Sequence, residues 1–318
     1  MNAMDYFRIP ARSFNSLEYD DSRNQVTKRS MDKDKLRDEI RWYLHVPDSL
    51  QRYLPQIIDF GLEDELYLTM AWVRLPTVHQ LYMDKPDDWR LMEAILGRLQ
   101  DALACMSLPA APPAITREQL TEIYVNKTMR RLVRLHQQQE WVRHIYARGS
   151  VVLNGSTYPC PIRYLEENPQ VPAILLERPV PRIVHGDLCF PNMFFDERQE
   201  QLILIDPRGA FGVPGIYGDG RYDLAKVRHS LSGYDCIIAN RFQADASAHG
   251  LTVALAVQRK QAAWREAWDD ICGPSLEEIR MAEALLFLSM ASLHADHPRR
   301  QVAMYGLGTK LLFDIVGE

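Results

Sequence analysis

The sequence predicts an α+β fold in which a small, strand-rich N-terminal lobe precedes a larger, mainly helical C-terminal lobe. Two observations predict it: short apolar runs separated by turn residues fill the first seventy or so positions, and apolar residues recur at helical spacing from about residue 75 onward. The 318 residues, of which 47% are hydrophobic, are enough to build a large core and exclude a disordered chain. We therefore expect one lobe over residues 1–74 and the other over residues 75–318.

The N-terminal lobe is predicted to hold two hairpins and one helix. Four short runs predict the hairpins, 14–19 with 25–30 and 56–60 with 66–73, and the first pair flanks the turn-rich stretch 20–24. An apolar stripe at helical spacing predicts the helix, which ends before Pro47: Leu36, Ile40, Tyr43 and Leu44. Glu39 lies beside this stripe, so its carboxylate is drawn inward and requires a cation.

The C-terminal lobe is predicted to be mainly helical. Apolar stripes predict one helix over residues 91–106 and a longer one over residues 116–148. The dipeptide Asn154-Gly155 predicts a small hairpin over residues 151–158. Two short apolar runs, 182–184 and 202–205, enclose a loop, and the chain from residue 221 onward is expected to be mostly helix.

Composition excludes several classes of protein. Lysine and arginine total 37 against 42 for aspartate and glutamate, a net charge of −5 without any basic block, so neither nucleic acid nor an anionic membrane is expected as a partner. The five cysteines are odd in number and far apart, which argues against a disulfide framework or a structural zinc site. No apolar stretch reaches the length of about 18 residues that predicts a membrane helix. We therefore expect a cytoplasmic protein without membrane insertion.

One constellation carries chemistry. Asp187 and Asn192 lie five residues apart on the predicted loop, and Asp206 follows the apolar run that comes next. Carboxylate and amide oxygens are the ligands that Mg²⁺ prefers, and substrate phosphates and water usually complete its coordination. This spacing therefore indicates a site for Mg²⁺ and a phosphoryl group.

The same residues resemble the aminoglycoside phosphotransferase and choline kinase superfamily, the small-molecule relatives of protein kinases. The resemblance spans most of the chain and rests on three segments, 185–192, 205–206 and 221–225. Within the superfamily, these segments are similar to phosphotransferase-type proteins of bacterial surface (capsular) polysaccharide clusters. The resemblance implies a bilobal, protein-kinase-like fold, ATP or GTP and Mg²⁺ as cofactors, and a small-molecule hydroxyl as acceptor.

The resemblance also implies a role for each residue of these segments. Asp187 would be the catalytic base, while Asn192 and Asp206 would hold the metal. His185 would order the catalytic loop, and Asp223 would anchor that loop from behind. Taken alone, each residue could equally have a loop or capping role.

In the N-terminal lobe, a kinase-like fold requires a strand lysine for the α- and β-phosphates and a helix glutamate that positions it. Lys28 lies in a strand-like context and Glu39 lies beside the apolar helix stripe, so this pair is predicted to bind the nucleotide. The alternative is a solvated Lys28, with Arg29 or Lys33 pairing instead. Residues 68–73, with Met70 and Trp72, are expected beside the adenine, chiefly through backbone groups.

The glycines are distributed unevenly. None precedes Gly61, so the glycine-rich phosphate loop of protein kinases is absent, and a hairpin near residues 13–16 or 20–24 is expected in its place. Five glycines crowd into residues 209–220, directly after Asp206. This segment supplies candidates for acceptor binding, with a rigid structural loop as the alternative: Arg208, Tyr217, Asp219 and Arg221.

The expected activity is phosphorylation of a small-molecule hydroxyl. The resemblance favours a sugar or polyol for surface-polysaccharide biosynthesis, and choline, another amino alcohol or an aminoglycoside is the alternative acceptor. A nucleotide-binding scaffold without turnover is the alternative of another class. The intact set of Asp187, Asn192 and Asp206 argues against it.

Overall fold

The computed structural model describes residues 15–63, 65–107, 112–256 and 259–317. These residues form two compact units, one with the described chain up to residue 114 and residues 181–223, the other with residues 115–180 and 224 onward. The lobe boundary predicted after residue 74 lies inside the first unit. Beyond that boundary, Thr77 forms a β-bridge with Phe194, and Phe195 donates a backbone hydrogen bond to Pro76 at 3.0 Å.

A four-stranded antiparallel sheet with strand order β1-β2-β4-β3 begins the first unit. Its strands are β1 (Asn15–Asp20), β2 (Gln25–Ser30), β3 (Ile57–Gly61) and β4 (Tyr67–Ala71). Both predicted hairpins are confirmed, since β1 pairs with β2 and β3 pairs with β4. Lys28 in β2 lies opposite Leu17 and Leu68, so its side chain shares their face of the sheet.

The predicted helix between the two hairpins is α1 (Lys33–His45). The Asp32 side chain caps it by accepting a hydrogen bond from the backbone N–H of Lys35 at 3.2 Å. Its buried face carries Leu36 and Ile40 together with Glu39. Three further helices follow in this unit: α2 (Asp48–Gln51), α3 (Val78–Asp84) and α4 (Trp89–Ser107), the last of which matches the helix predicted over residues 91–106.

The second unit begins with helices and a hairpin. Its elements up to residue 180 are α5 (Arg117–Leu120), a π-helical turn (Thr121–Asn126), α6 (Lys127–Gln138), α7 (Glu140–Arg148), β5 (Ser150–Leu153), β6 (Ser156–Pro159), α8 (Pro161–Glu167) and a 3₁₀ turn (Pro172–Leu176). Asn154 and Gly155 have φ angles of 51° and 86°, the left-handed pair that a tight two-residue hairpin turn requires. The predicted β5–β6 hairpin is therefore confirmed.

The chain then returns to the first unit. The elements here are β7 (Pro181–Ile183), a short 3₁₀ turn (Phe190–Asn192), β8 (Met193–Asp196), β9 (Gln201–Leu204), β10 (Ala210–Phe211), β11 (Val213–Pro214) and β12 (Tyr217–Asp219). Strand β8 pairs with β9, and β12 pairs with β7. Helix α9 (Gly220–His229) follows β12 directly, so Asp223 lies in its first turn.

The rest of the second unit contains one feature that the sequence does not predict. Helices α10 (Asp235–Ile238), α11 (Arg259–Cys272), α12 (Leu276–Ala291) and α13 (Pro298–Val316) agree with the expectation, but β13 (Phe242–Ser247) and β14 (Gly250–Leu255) form a hairpin where helix is expected. The Asn154 side chain joins this hairpin to β5: its amide donates to Val253 O at 2.8 Å and accepts from Val253 N at 2.8 Å. The result is a four-stranded sheet, β13-β14-β5-β6.

Two of the exclusions can be compared with the structure. All five cysteines are buried thiols that belong to no disulfide. No helix of the described ranges combines the length and the apolar character needed to cross a bilayer.

Candidate active site

The loop after β7 carries His185, Asp187 and Asn192, and the first turn of α9 holds its beginning in place. The two carboxylate oxygens of Asp223 accept the backbone N–H groups of His185 at 2.7 Å and Gly186 at 2.8 Å. Burial raises the pKa of Asp223 to about 6, although these two hydrogen bonds oppose the shift. Gly186 has a φ of 77°, a left-handed conformation that glycine adopts without strain. The loop is thus fixed immediately before Asp187.

Asn192 is oriented by the same loop. Its side-chain nitrogen donates to the backbone oxygen of Asp187 at 2.9 Å, which leaves its side-chain oxygen as an acceptor for a ligand. The backbone oxygen of Asn192 accepts from Ile205 N at 3.0 Å. This hydrogen bond joins the loop to the end of β9, one residue before Asp206.

Asp206 has a φ of 60°, which is uncommon for a residue other than glycine, and backbone strain of this kind clusters at functional sites. Its side chain is 23% exposed, and one oxygen lies 2.5 Å from Lys28 Nζ. Burial raises the pKa of Asp206, but the positive charges of Lys28 and Lys35 outweigh it and lower the pKa below its usual value. The carboxylate is therefore ionised at neutral pH, as a metal ligand must be.

Lys28 also binds both carboxylate oxygens of Glu39, at 2.9 and 2.7 Å. Lys28 is 7% exposed and Glu39 is 1% exposed, so this ion pair is removed from water. Burial alone would lower the pKa of Lys28, but the charges of Glu39 and Asp206 raise it above its usual value. Lys28 therefore stays protonated, and the alternative of a solvated Lys28 does not fit the structure. Arg29 instead lies 3.9 Å from Glu65.

Helix α1 is attached to the loop after β7 by a residue that the sequence analysis missed. The indole nitrogen of Trp42 donates to Val184 O at 2.8 Å, and its ring meets the His185 ring edge to face at 5.9 Å. Trp42 lies three residues after Glu39, hence on the same helix face, and this spacing is the signal that could have identified it. Helix α1 also packs closely against Gly209, since a Cβ added to Gly209 would overlap the backbone oxygen of Asp38.

Arg208 lies against the loop after β7. Its backbone N–H donates to His185 O at 2.7 Å, and an added Cβ on Gly186 would come within 2.8 Å of the Arg208 Cβ. The guanidinium lies 5.3 Å from the centre of the Tyr222 ring and donates from Nη1 to the Tyr222 hydroxyl at 3.0 Å. Tyr222 belongs to the motif over residues 221–225, but no pattern in the sequence assigned it a role.

Two other acceptor candidates occupy a different environment. Asp219 and Arg221 form a buried ion pair with Nη2 of Arg221 2.7 Å from Asp219, and their side chains are 0% and 2% exposed. Each charge is thus compensated within the protein, which argues against a contact of either with a substrate. Tyr217 lies in β12 opposite Ile183 of β7 and is partly exposed.

The segment expected beside the adenine, residues 68–73, consists of most of β4 and the two residues that follow it. Met70 and Trp72 are 7% and 5% exposed, and the Arg74 guanidinium stacks on the Trp72 ring at 4.0 Å. Arg74 also donates to the Asn24 side chain at 2.8 Å and to Asp21 at 3.0 Å. The turn between β1 and β2 is therefore fixed to the end of β4. Of the other predicted site for the phosphate hairpin, 13–16, the first two residues lie outside the described part of the chain and the last two belong to β1.

The side chains at this site supply only part of the coordination of a metal ion, so a bound substrate would have to supply further ligands. Within the described ranges, no group of three or more His, Cys, Asp and Glu side chains could hold a metal ion. Asn192 offers an amide oxygen and Asp206 offers a carboxylate. The hydrogen bond from Ile205 N to the backbone oxygen of Asn192 joins the two segments that carry them. Such a small set of hard oxygen ligands suits Mg²⁺, which usually retains water and takes phosphate oxygens as further ligands.

The comparisons with known proteins concern the fold. No protein-family model matches the sequence, and no curated protein is similar to it. Solved structures do superpose on the chain. A thermostable mutant of aminoglycoside phosphotransferase APH(4)-Ia, in a ternary complex with ADP and hygromycin B, gives a TM-score of 0.57 at 12% identity over 97% of this chain and 92% of that chain.

Two further aminoglycoside phosphotransferases give similar results. ADP-bound APH(2'')-Ib has a TM-score of 0.52 at 13% identity, covering 94% of this chain and 93% of its own. The complex of APH(2'')-IIa with streptomycin and ATP has a TM-score of 0.51 at 14% identity, covering 96% and 92%. The α+β class is confirmed, and the chain has the kinase-like fold of these aminoglycoside phosphotransferases.

Proposed function

We propose that the protein is a small-molecule kinase that transfers the γ-phosphoryl group of ATP to a hydroxyl group. The observation that supports this proposal most strongly is the buried chain of ion pairs from Glu39 through Lys28 to Asp206. Three charged groups, from strand β2, from helix α1 and from the segment after β9, meet there, and a stable core has no need of such an arrangement. A phosphate-binding lysine held by a glutamate, next to a metal-binding aspartate, is what phosphoryl transfer requires.

In this proposal the N-terminal lobe binds the nucleotide. Lys28 contacts the α- and β-phosphates, and the backbone near Met70 and Trp72 receives the adenine. Asn192 and Asp206 hold Mg²⁺, which would neutralise charge on the phosphate oxygens. GTP is the alternative donor, because residues 15–60 contain no glycine to form the usual phosphate loop.

Asp187 acts on the acceptor. The acceptor oxygen attacks the γ-phosphorus, its proton passes to the Asp187 carboxylate, and the bond between the phosphorus and the bridging oxygen of ADP breaks. Asp223 accepts the N–H of Gly186, and the Asn192 side chain donates to the backbone oxygen of Asp187. These hydrogen bonds hold the backbone around Asp187 in one conformation. Such positioning accounts for most of the catalysis in phosphoryl transfer.

The acceptor is proposed to be a sugar or polyol used in surface-polysaccharide biosynthesis. The resemblance over residues 185–225 supports this choice, and the reaction would take place in the cytoplasm, where ATP is available. Three superposed structures are of enzymes named for aminoglycosides, and two of them are complexes with hygromycin B or streptomycin. An aminoglycoside or another amino alcohol is therefore the second candidate.

The deciding experiment compares Asp187→Asn with the wild type. We expect phosphate transfer in a screen of sugars, polyols, amino alcohols and aminoglycosides to fall by about 10²- to 10⁴-fold, because the base is lost, while nucleotide binding is retained. Asp270→Asn is a matched control on the exposed surface of α11 and should leave transfer unchanged. Persistent transfer by Asp187→Asn would contradict the mechanism. Nucleotide binding without transfer by the wild type would favour the non-catalytic scaffold.

A further inference from the structure

Arg208 carries a positive charge that no carboxylate of the described residues neutralises by an ion pair. The other two site cations described above are paired: Lys28 with Glu39 and Asp206, and Arg221 with Asp219. The Arg208 guanidinium donates its one side-chain hydrogen bond within the described chain to a neutral phenol, the hydroxyl of Tyr222. An arginine that only supported the loop would be expected to satisfy more of its five donors within the protein.

The position of this guanidinium is nevertheless fixed. The Arg208 Cβ lies against Gly186, and the Arg208 N–H donates to His185 O. The guanidinium contacts the hydroxyl and the ring face of Tyr222. Because Nη1 is occupied, the remaining donors on Nε and Nη2 form the forked pair that matches two oxygens of one carboxylate or phosphate. A side chain held in this way loses little conformational entropy when it binds an anion.

Arg208 lies next to the segment that carries the proposed base. Gly186, against which Arg208 lies, directly precedes Asp187, the proposed base. The charge of Asp187 is also among the causes that raise the pKa of Arg208 above its usual value, after burial, which opposes the shift. Asp223 also acts on Arg208 through its charge, but the hydrogen bonds that its two oxygens accept come from the backbone N–H groups of His185 and Gly186.

We propose that Arg208 binds an anionic group, a carboxylate or a phosphate, carried by the acceptor whose hydroxyl is phosphorylated. This inference rests on the proposed function and specifies its substrate class. The acceptor is then an acidic sugar or a sugar phosphate and not a neutral polyol or a cationic amine. The transferred phosphoryl group is the competing occupant of the same fork, and the test separates the two.

The test measures acceptor binding by calorimetry, with a non-hydrolysable ATP analogue present, and therefore does not depend on turnover. The probes are matched sets: glucose with glucuronate and glucose 6-phosphate, and galactose with galacturonate. We expect the anionic members to bind more tightly than the neutral ones. Arg208→Gln should weaken only the anionic members, by about 10- to 100-fold, as the loss of a charge-assisted pair predicts.

Two further variants keep the result interpretable. Arg208→Lys retains the charge without the fork and should give an intermediate loss, while Arg198→Gln changes an exposed arginine in the turn between β8 and β9 and should have no effect. Equal weakening of neutral and anionic probes, or no binding of any anionic probe, would overturn the inference. So would unchanged acceptor binding in Arg208→Gln together with slower ATP hydrolysis, which would assign Arg208 to the phosphoryl group. Arg208-dependent binding without transfer by the wild type would support the anion site and reject the proposed kinase activity.

Discussion

Lys28 shows what a single residue contributes to this protein. Its ammonium group is shared by Glu39 and Asp206, so two carboxylates from distant parts of the sequence depend on one buried cation. The resemblance to kinases predicted that a strand lysine and a helix glutamate would meet, and strand context and helix periodicity identified Lys28 and Glu39 as these residues. The third contact, to Asp206, lies 178 residues away along the chain, and no local pattern could predict it.

Replacing Lys28 tests this dependence. Lys28→Met leaves Glu39 buried without its cation, and breaking a buried pair from one side costs roughly 3–5 kcal/mol. We expect a loss of that size in the free energy of unfolding, measured in urea. Lys28→Met combined with Glu39→Leu should recover at least about half of it, since an apolar pair can replace a buried ion pair. A double variant as unstable as the single one would show that the ion pair is not the cause.

Asp223 makes stability depend on pH. Its pKa in the folded protein is raised to about 6 from the ordinary 3.8, so between these values the folded state binds more protons than the unfolded state. Its contribution to stability is therefore largest below about pH 4 and falls as the pH rises to about 6, by up to about 3 kcal/mol. Asp223→Asn removes the titration. The difference in unfolding free energy between wild type and variant should decrease over this range, and a constant difference would contradict the prediction.

At the level of elements, α1 is the part of the first unit on which the site depends. It carries Glu39, it is attached to Val184 through Trp42, and it lies so close to Gly209 that a side chain there would overlap Asp38. Helix periodicity predicted α1 itself. Its attachments were not predicted, because they join segments more than a hundred residues apart.

Comparing Gly209→Ala with Gly155→Ala distinguishes the effect of close packing against α1 from the effect of backbone strain alone. Gly209 has a φ of 66° and Gly155 a φ of 86°, but nothing lies within 4 Å of an added Cβ at Gly155. Gly155→Ala should therefore cost only about 1 kcal/mol, the strain of the left-handed conformation. We expect Gly209→Ala to cost clearly more and to lower the rate of transfer, because α1 and Glu39 must move. Equal losses in thermal unfolding and unchanged kinetics would contradict this account.

The hairpins show where local sequence is sufficient. Asn154-Gly155 specifies its own turn, so β5 and β6 were predictable from two residues. Strands β13 and β14 are different, because β14 is attached to β5 by the side chain of Asn154, 99 residues before its partner Val253. A segment that is stabilised by such a distant contact carries little local signal.

For the whole molecule, the spacing of a few polar residues was more informative than composition. A net charge of −5 describes a typical globular protein, whereas Asp187, Asn192 and Asp206 indicated the kinase-like fold. The division into compact units was not predictable, since residues 181–223 join the unit of residues up to 114. That association depends on contacts such as the bridge between Thr77 and Phe194.

Nucleotide binding should stabilise the molecule against heat. A ligand at 100 times its Kd adds about 2.7 kcal/mol, which corresponds to a rise in Tm of about 5 °C. We expect ATP with Mg²⁺ to give a shift of this order and either alone to give less, because Asn192 and Asp206 need the metal to bind phosphate. Asn192→Ala should remove the Mg²⁺-dependent part, and Arg198→Gln should retain it. Equal shifts with and without Mg²⁺ would contradict the proposed metal site.

The Asn154 turn also limits how the protein ages. Gly155 has no side chain to hinder attack of its backbone nitrogen on the side-chain carbonyl of Asn154. This attack would expel ammonia and form a cyclic imide, which water would open to leave a carboxylate. A carboxylate cannot donate the hydrogen bond that Val253 O now accepts at 2.8 Å, and its charge would repel that oxygen. The turn that closes β5 and β6 is thus also a chemical weak point, whose reaction would weaken the attachment of β14 to β5 and add one more negative charge to the chain.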